Sequence, residues 1–127
     1  PVIVWNITRR CNLRCVHCYA HAREEAGTDE LTTEQGRILL DDLAAFGVPV
    51  VLFSGGEPLA QSNCLLLLKA LCDGGWTVLL ETAGSHDVSG VDGRVHLILD
   101  LKAPGSGETT SKKAEKSNKK GTLDIAA

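Results

Sequence analysis

The sequence predicts an α/β fold: a partial (β/α) barrel of about four parallel strands with helices on the outside. Three observations predict it. Short apolar runs alternate with helix-like patterns along the chain, the alternation that builds right-handed β-α-β units. The runs are apolar on consecutive positions, as strands buried on both faces of a parallel sheet are. Each run is also followed, at its C-terminal end, by a polar or glycine-rich segment, and parallel α/β proteins collect their sites at that end of the sheet.

Val2-Ile3-Val4-Trp5 opens the first strand, expected to run to about Ile7. Thr32-Thr33-Glu34-Gln35 is a capping box, with Thr32 and Gln35 at the right offset. The helix it starts is expected to carry Leu39, Leu43 and Phe46 on one face and to stop at Gly47. Val48 to Phe53 is the second strand, with Pro49 tolerable near its start. Ser62 or Asn63 can cap a second helix bearing Leu65, Leu68 and Leu71, which ends at Gly74-Gly75. Trp76 to Leu80 and Val95 to Leu99 are the third and fourth strands, and the link 82–94 is too polar for a helix. Residues 106–127 hold Lys112, Lys113, Lys116, Lys119 and Lys120 among Ser, Thr and Gly, the composition of a flexible tail. The expected organisation is a core over 1–105 and a Lys/Ser-rich tail over 106–127. A closed eight-unit barrel takes roughly 250 residues, so this core supplies about half of one. Its sheet must end in an open edge, which invites pairing with another chain, as in a homodimer.

Composition bounds the function. The 127 residues are 43% apolar and 23% charged, which suits one small globular domain. Thirteen basic residues against sixteen acidic ones give a net charge of −3, without the basic excess of a nucleic-acid binder. No apolar stretch is long enough to cross a membrane, and no signal-peptide pattern is visible. The chain starts at Pro1 and has no methionine, as a processed or trimmed chain would. Five cysteines is an odd number, and Cys11, Cys15 and Cys18 fall close together. That cluster points to metal binding or catalysis in a reducing cytoplasm rather than to a disulfide framework.

The segments after the strands carry the chemistry. Thr8 to Tyr19 follows the first, Ser54-Gly55-Gly56-Glu57-Pro58 the second, Glu81-Thr82-Ala83-Gly84 the third and Asp100 to Gly105 the fourth. Three thiolates from one loop can hold an iron–sulfur cluster and leave one iron open. The alternative is a closed zinc site with His21 as fourth ligand. Gly55 and Gly56 allow the backbone close to a ligand, Glu57 can accept from an ammonium, and Pro58 fixes the turn; a plain turn explains them equally. Asp100 and Lys102 are either site residues or an ion pair. Cys64 and Cys72 are expected to be buried, inert thiols.

Together these residues resemble the radical S-adenosylmethionine superfamily. The Cys11/Cys15/Cys18 spacing, with His17 before the third cysteine and Gly-Gly-Glu-Pro at the end of the next strand, carries the resemblance. It implies a 4Fe–4S cluster on Cys11, Cys15 and Cys18, with S-adenosyl-L-methionine on the fourth iron, cleaved to a 5′-deoxyadenosyl radical. It further implies Gly55, Gly56 and Glu57 at the methionine amino group, His17 near the adenine and Thr82 at a ribose or carboxylate. The implied partners are a small-molecule substrate and an electron donor such as flavodoxin or ferredoxin. Residues 2–59 resemble haem- and peptide-modifying members such as those of haem d1 biosynthesis. Residues 55–108 resemble 7-carboxy-7-deazaguanine synthase of the queuosine pathway, through Gly55 to Gln61, Lys69 to Asp73, Leu80 to Gly84 and Asp100 to Glu108. Two resemblances meeting at one loop are what a recombined, designed or truncated sequence would give. The expected substrate is a deazapurine precursor, the haem or peptide class being the alternative. Tyr19-Ala20 stand where the deazaguanine enzymes have Asp-Thr, which puts Mg2+ in doubt; Ala83 replaces their usual Ser or Thr. The non-enzymatic alternative is a zinc-binding or ferredoxin-like electron-transfer module.

Overall fold

The computed structural model describes residues 1–102; the expected tail and the end of the Asp100 to Glu108 motif lie outside the described residues. In chain order the elements are β1 (Val2–Thr8), α1 (Thr33–Ala45), β2 (Val50–Gly55), a 3-10 turn (Pro58–Ala60), α2 (Cys64–Asp73), β3 (Thr77–Thr82) and β4 (His96–Leu99). The strands form one parallel sheet in the order β1-β2-β3-β4. This is the α/β architecture of a partial barrel. β1, β2 and β3 run one or two residues further into their polar segments than apolar patterning indicates, because ladder hydrogen bonds do not require apolar side chains.

The core lies between the sheet and α2. Val51, Phe53, Val78 and Leu80 are fully buried on that side, packed on Cys64, Leu68, Leu71 and Cys72. These four recur at helical three- and four-residue spacing. Leu68 and Leu71 face the core as expected, whereas Leu65 is exposed. Asn63 occupies the N-cap position without a side-chain capping bond.

The expected burial of the strands on both faces does not hold. Val2 and Val4 are 57% and 59% exposed, and every residue of β4 is exposed. The fully buried strand residues are concentrated on the helix-covered face of β2 and β3. The other is the face a closed barrel would enclose in stacked layers. Val4, Leu52, Leu79 and His96 form one layer, with Asn6 beside Ser54 and Glu81 beside Ile98 nearer the C-terminal ends, and the register of β1 on β2 shifts between Asn6 and Thr8.

The capping box of α1 forms as expected. Thr32 Oγ1 accepts from the Gln35 amide at 3.2 Å, and Gln35 Oε1 accepts from the Thr32 amide at 2.9 Å. The helix closes at Phe46 and Gly47, whose φ of 79° favours glycine. Phe46, expected on the inner face, is 83% exposed. It sits on the cap, past the last full turn, and the apolar residue buried after the helix is Val48. The inner face instead bears Gly36, against the Trp5 ring, which packs on Phe53 with centroids 5.6 Å apart.

Candidate active site

The cysteine loop leaves β1 through a narrow neck. Thr8 is buried, and the Glu30 carboxylate accepts from its hydroxyl at 3.0 and 3.1 Å, from the Arg9 amide at 2.7 Å and from the Gly27 amide at 2.8 Å. Cys11 N donates to Arg23 O at 2.6 Å, and Arg23 N to Arg9 O at 2.9 Å. Leu13 and Cys11 are buried, with Cys15, Ala22 and Ala83 packed around them. Inside the loop, Cys11 Sγ accepts from Leu13 N at 3.4 Å and Cys18 Sγ from Ala22 N at 3.3 Å.

The glycine turn is seated directly on that neck. Gly56 N donates to Thr8 O and Glu57 N to Arg10 O, each at 2.7 Å. A Cβ on Gly55 would stand 2.6 Å from Thr8 O, and one on Gly56 2.4 Å from Arg10 O. The glycines are therefore required by the end of β1 itself, before any ligand is considered.

Glu57 faces inward. It is 1% exposed. Its carboxylate accepts from Thr82 Oγ1 at 2.7 Å and from Ala83 N at 3.1 Å, and it caps the 3-10 turn through Leu59 N at 3.4 Å. Burial pushes its pKa above the usual carboxylate range, against the lowering pull of Thr82 and Ala83. Thr82 is buried too, and its hydroxyl also accepts from Gly84 N at 3.2 Å. These two residues join the glycine turn to the end of β3.

A cleft of about 230 Å³ opens between these loops. Cys11, Cys15, Cys18, His17, Gly55, Gly56 and Thr82 all line it, and the Glu57 side chain lies behind its wall. Tyr19, Ser54, Glu81, Asp100 and Lys102 line it as well. Lys102 and Asp100 form the ion pair weighed from the sequence, with Asp100 still largely exposed. Burial opposes the Lys102 charge, but Asp100, then Cys15 and Cys18, hold its pKa above the usual value.

Three connections here escape sequence reasoning. The Tyr19 hydroxyl contacts Ser54 Oγ at 2.8 Å and Asn6 Oδ1 at 3.4 Å, and Ser54 in turn donates to Glu81. This polar layer shares the open face of the sheet with Val4 and Leu52; counting in twos from the strand residues would have found it. Ser85, 2% exposed, donates to Asn12 Oδ1 at 2.8 Å and ties the loop after β3 to the cysteine loop. Glu30 carries no local signal at all.

The donor set suits an iron–sulfur cluster. Three thiols line one cleft. Burial, and then the nearby charges of Glu57, Cys15 and Cys18, raise the Cys11 pKa above a backbone hydrogen bond's pull. A cationic centre is what relieves such mutual repulsion. Among the described residues no group of three or more Cys, His, Asp or Glu side chains, the three cysteines included, is already arranged as a metal site, and His21, with a positive φ of 50°, is not among the residues lining the cleft.

Comparison with known proteins identifies the family. A family model described as the Radical SAM superfamily matches residues 5–121. Fe-coproporphyrin III synthase of Methanosarcina barkeri is 51% identical over 85 residues, 67% of this chain and 21% of that protein. Pre-heme d1 synthase of Dinoroseobacter shibae is 46% identical over 69 residues, 54% of this chain and 17% of that protein. 7-carboxy-7-deazaguanine synthase of Chlorobaculum tepidum is 45% identical over 97 residues, 76% of this chain and 42% of that protein. The chain thus spans from about a fifth to two fifths of the length of the curated relatives it matches. The relatives fall into more than one enzyme class, the haem-type ones matching as strongly as the deazaguanine one. With three loop cysteines and a glycine turn on one cleft, and a family match over most of its length, the chain belongs to the radical SAM superfamily, a superfamily of enzymes.

Proposed function

We propose that this chain is the core of a radical S-adenosylmethionine enzyme. Cys11, Cys15 and Cys18 would hold a 4Fe–4S cluster, and the Gly55-Gly56 turn would receive the methionine end of the cofactor. The observation that carries this is the seating of the thiols and the glycine turn on one cleft and one neck. His17, exposed on the rim, suits the adenine side. Glu57 and Thr82 act by fixing the turn against β3, since both are committed to each other. When bound and reduced by the electron donor, the cluster would supply the one electron needed to split the sulfonium into methionine and a 5′-deoxyadenosyl radical. The chain's own residues orient the cofactor and shield it.

For the substrate we infer a deazapurine precursor, in chemistry of the lyase type. The segments that resemble 7-carboxy-7-deazaguanine synthase place Glu81 and Lys102 on the cleft. A haem-type substrate is the second reading, favoured by the 51% identity to Fe-coproporphyrin III synthase. The proposal includes a cytoplasmic electron donor such as flavodoxin or ferredoxin, a second copy paired at the open sheet edge, and no magnesium site at Tyr19. Among the described residues no helix is long and apolar enough to cross a membrane.

The test is anaerobic reconstitution, reduction and incubation with S-adenosylmethionine, with 5′-deoxyadenosine as the product measured. A deazapurine precursor should raise its release; stimulation by an iron porphyrin alone selects the second reading. One zinc per chain and no sulfide would overturn both. A cluster whose spectrum ignores S-adenosylmethionine would instead indicate an electron carrier.

A further inference from the structure

Resting on the assignment of the cleft to a cluster and a sulfonium cofactor, we propose that Glu30 is a positioning residue of the site. Its carboxylate locks the Thr8–Arg10 neck, from which both the cysteine loop and the Gly55-Gly56 turn hang.

Alternate residues of an extended segment present their backbone groups to opposite edges, and the neck uses both. On one edge, the carbonyls of Thr8 and Arg10 accept from Gly56 N and Glu57 N. On the other edge, Arg9 gives its amide to Glu30 and its carbonyl to Arg23. Glu30 is thus the side-chain counterweight to the glycine turn. One carboxylate gathers donors from three places: the Thr8 hydroxyl at the end of β1, the Arg9 amide in the neck and the Gly27 amide in the segment that follows Arg23. Bonds to an ionised carboxylate are roughly twice as strong as neutral ones.

Beyond the neck the loop is held by side chains, among them Asn12, Leu13 and Tyr19, rather than by a sheet ladder. Between β1 and α1 its regular pairing is a single bridge, Arg10 with Arg23. The Thr8 hydroxyl also accepts from Arg10 N at 3.0 Å, so a shift of Thr8 is passed to the residue next to Cys11. Without Glu30 the edge away from the glycines keeps its pairing with Arg23 but loses the bonds to Thr8, Arg9 and Gly27. The Cys11 thiol and the glycine turn then lose their fixed relation, although Glu30 touches neither and is not among the residues lining the cleft.

The experiment compares full chains, each anaerobically reconstituted and reduced: wild type, Glu30→Ala, Glu30→Gln and Arg94→Gln. The last removes an equally dense clamp remote from the cleft, where Arg94 binds Asp73 and Asp92. Iron and sulfide per chain, the cluster's electron paramagnetic resonance with and without S-adenosylmethionine, the Kd for S-adenosylmethionine and Tm are measured. Glu30→Ala should weaken S-adenosylmethionine about ten-fold and lose the line-shape change that the cofactor induces. Glu30→Gln keeps acceptor oxygen for part of the set and should fall between. Arg94→Gln should lower Tm but keep the wild-type signature. If Glu30→Ala does not fold, Glu30→Gln decides alone, by its Kd and line shape against Arg94→Gln. Wild-type affinity and line shape in the Glu30 variants would overturn the inference, as would an equal loss in Arg94→Gln at equal Tm. Wild-type protein that takes up no iron would instead overturn the assignment of the cleft, and this inference with it.

Discussion

Replacing Gly56 by alanine tests the joint between the glycine turn and the neck. The new methyl carbon would stand 2.4 Å from Arg10 O, 2.8 Å from the Arg9 carbonyl carbon and 2.9 Å from the Arg10 carbonyl carbon. All three are backbone atoms, so no rotamer change relieves the overlap. Ordinary contact begins near 3.4 Å, so the turn and the neck must part by about 1 Å. That stretches the two 2.7 Å bonds, Gly56 N to Thr8 O and Glu57 N to Arg10 O, beyond useful length. Each contributes about 1 kcal/mol, and forcing a methyl into a packed joint costs about 1–3 kcal/mol. The expected loss is about 3–5 kcal/mol, a large share of the stability of a small domain. Urea unfolding followed by circular dichroism measures it, and the midpoint should fall by about 1.5–5 M for a slope of about 1–2 kcal/mol/M. Gly75→Ala is the control: its φ is positive, at 86°, unlike that of Gly56, but nothing lies within 4 Å of the added carbon, so only the backbone penalty of about 1–2 kcal/mol remains. Equal midpoints for the two variants, or a Gly56→Ala shift under about 0.5 M, would refute the close approach of turn and neck.

The buried Glu57 carboxyl has a raised pKa in the folded state, chiefly from burial, so the folded chain holds its proton more tightly than the unfolded one. Stability from this group is complete below about pH 4.5 and declines as pH rises through the folded pKa; Glu57→Gln should abolish that decline in a pH series of urea midpoints. Glu30 behaves oppositely: burial raises its pKa, but the Arg9, Gly27 and Thr8 bonds together bring it below the usual value. Its contribution is present above about pH 4.5 and is lost as pH falls through the folded pKa, so Glu30→Gln should flatten the acid limb. Phe46→Ser should change the unfolding free energy by less than about 0.5 kcal/mol, because the ring is exposed; Leu68→Ala, at a fully buried position, should cost about 2–5 kcal/mol. Light scattering should show association through the open edge, and Leu97→Lys on β4 should suppress it; a wild-type monomer at high concentration would remove the paired-edge proposal.

Several elements were legible before any coordinates. The capping box at Thr32 and Gln35 is a spacing, and spacing survives folding. The stops at Gly47 and Gly74-Gly75 are likewise local. The resemblance fixed on Cys11, Cys15, Cys18 and the Gly55-Gly56 pair, all of which the cleft gathers. Phe46 was misplaced because a three-residue step from Leu43 reads as one helix face even when the helix has already closed. Both-face burial was misjudged because an apolar run records which residues tolerate burial, not whether a neighbour exists to bury them.

The sequence by itself determined the order of strands and helices, the parallel α/β class and the residue types offered at each strand end. Those follow from periodicity, capping and chirality, which act over a few residues. Only the tertiary structure decided that Glu57 turns inward to Thr82, that the glycines are seated on the end of β1, and that Glu30 clamps the neck. Thr82 and Glu57 are 25 residues apart, Glu30 and Thr8 22. A hydrogen bond across such a distance leaves no periodic trace in the chain, since it depends on where the sheet brings two distant segments together.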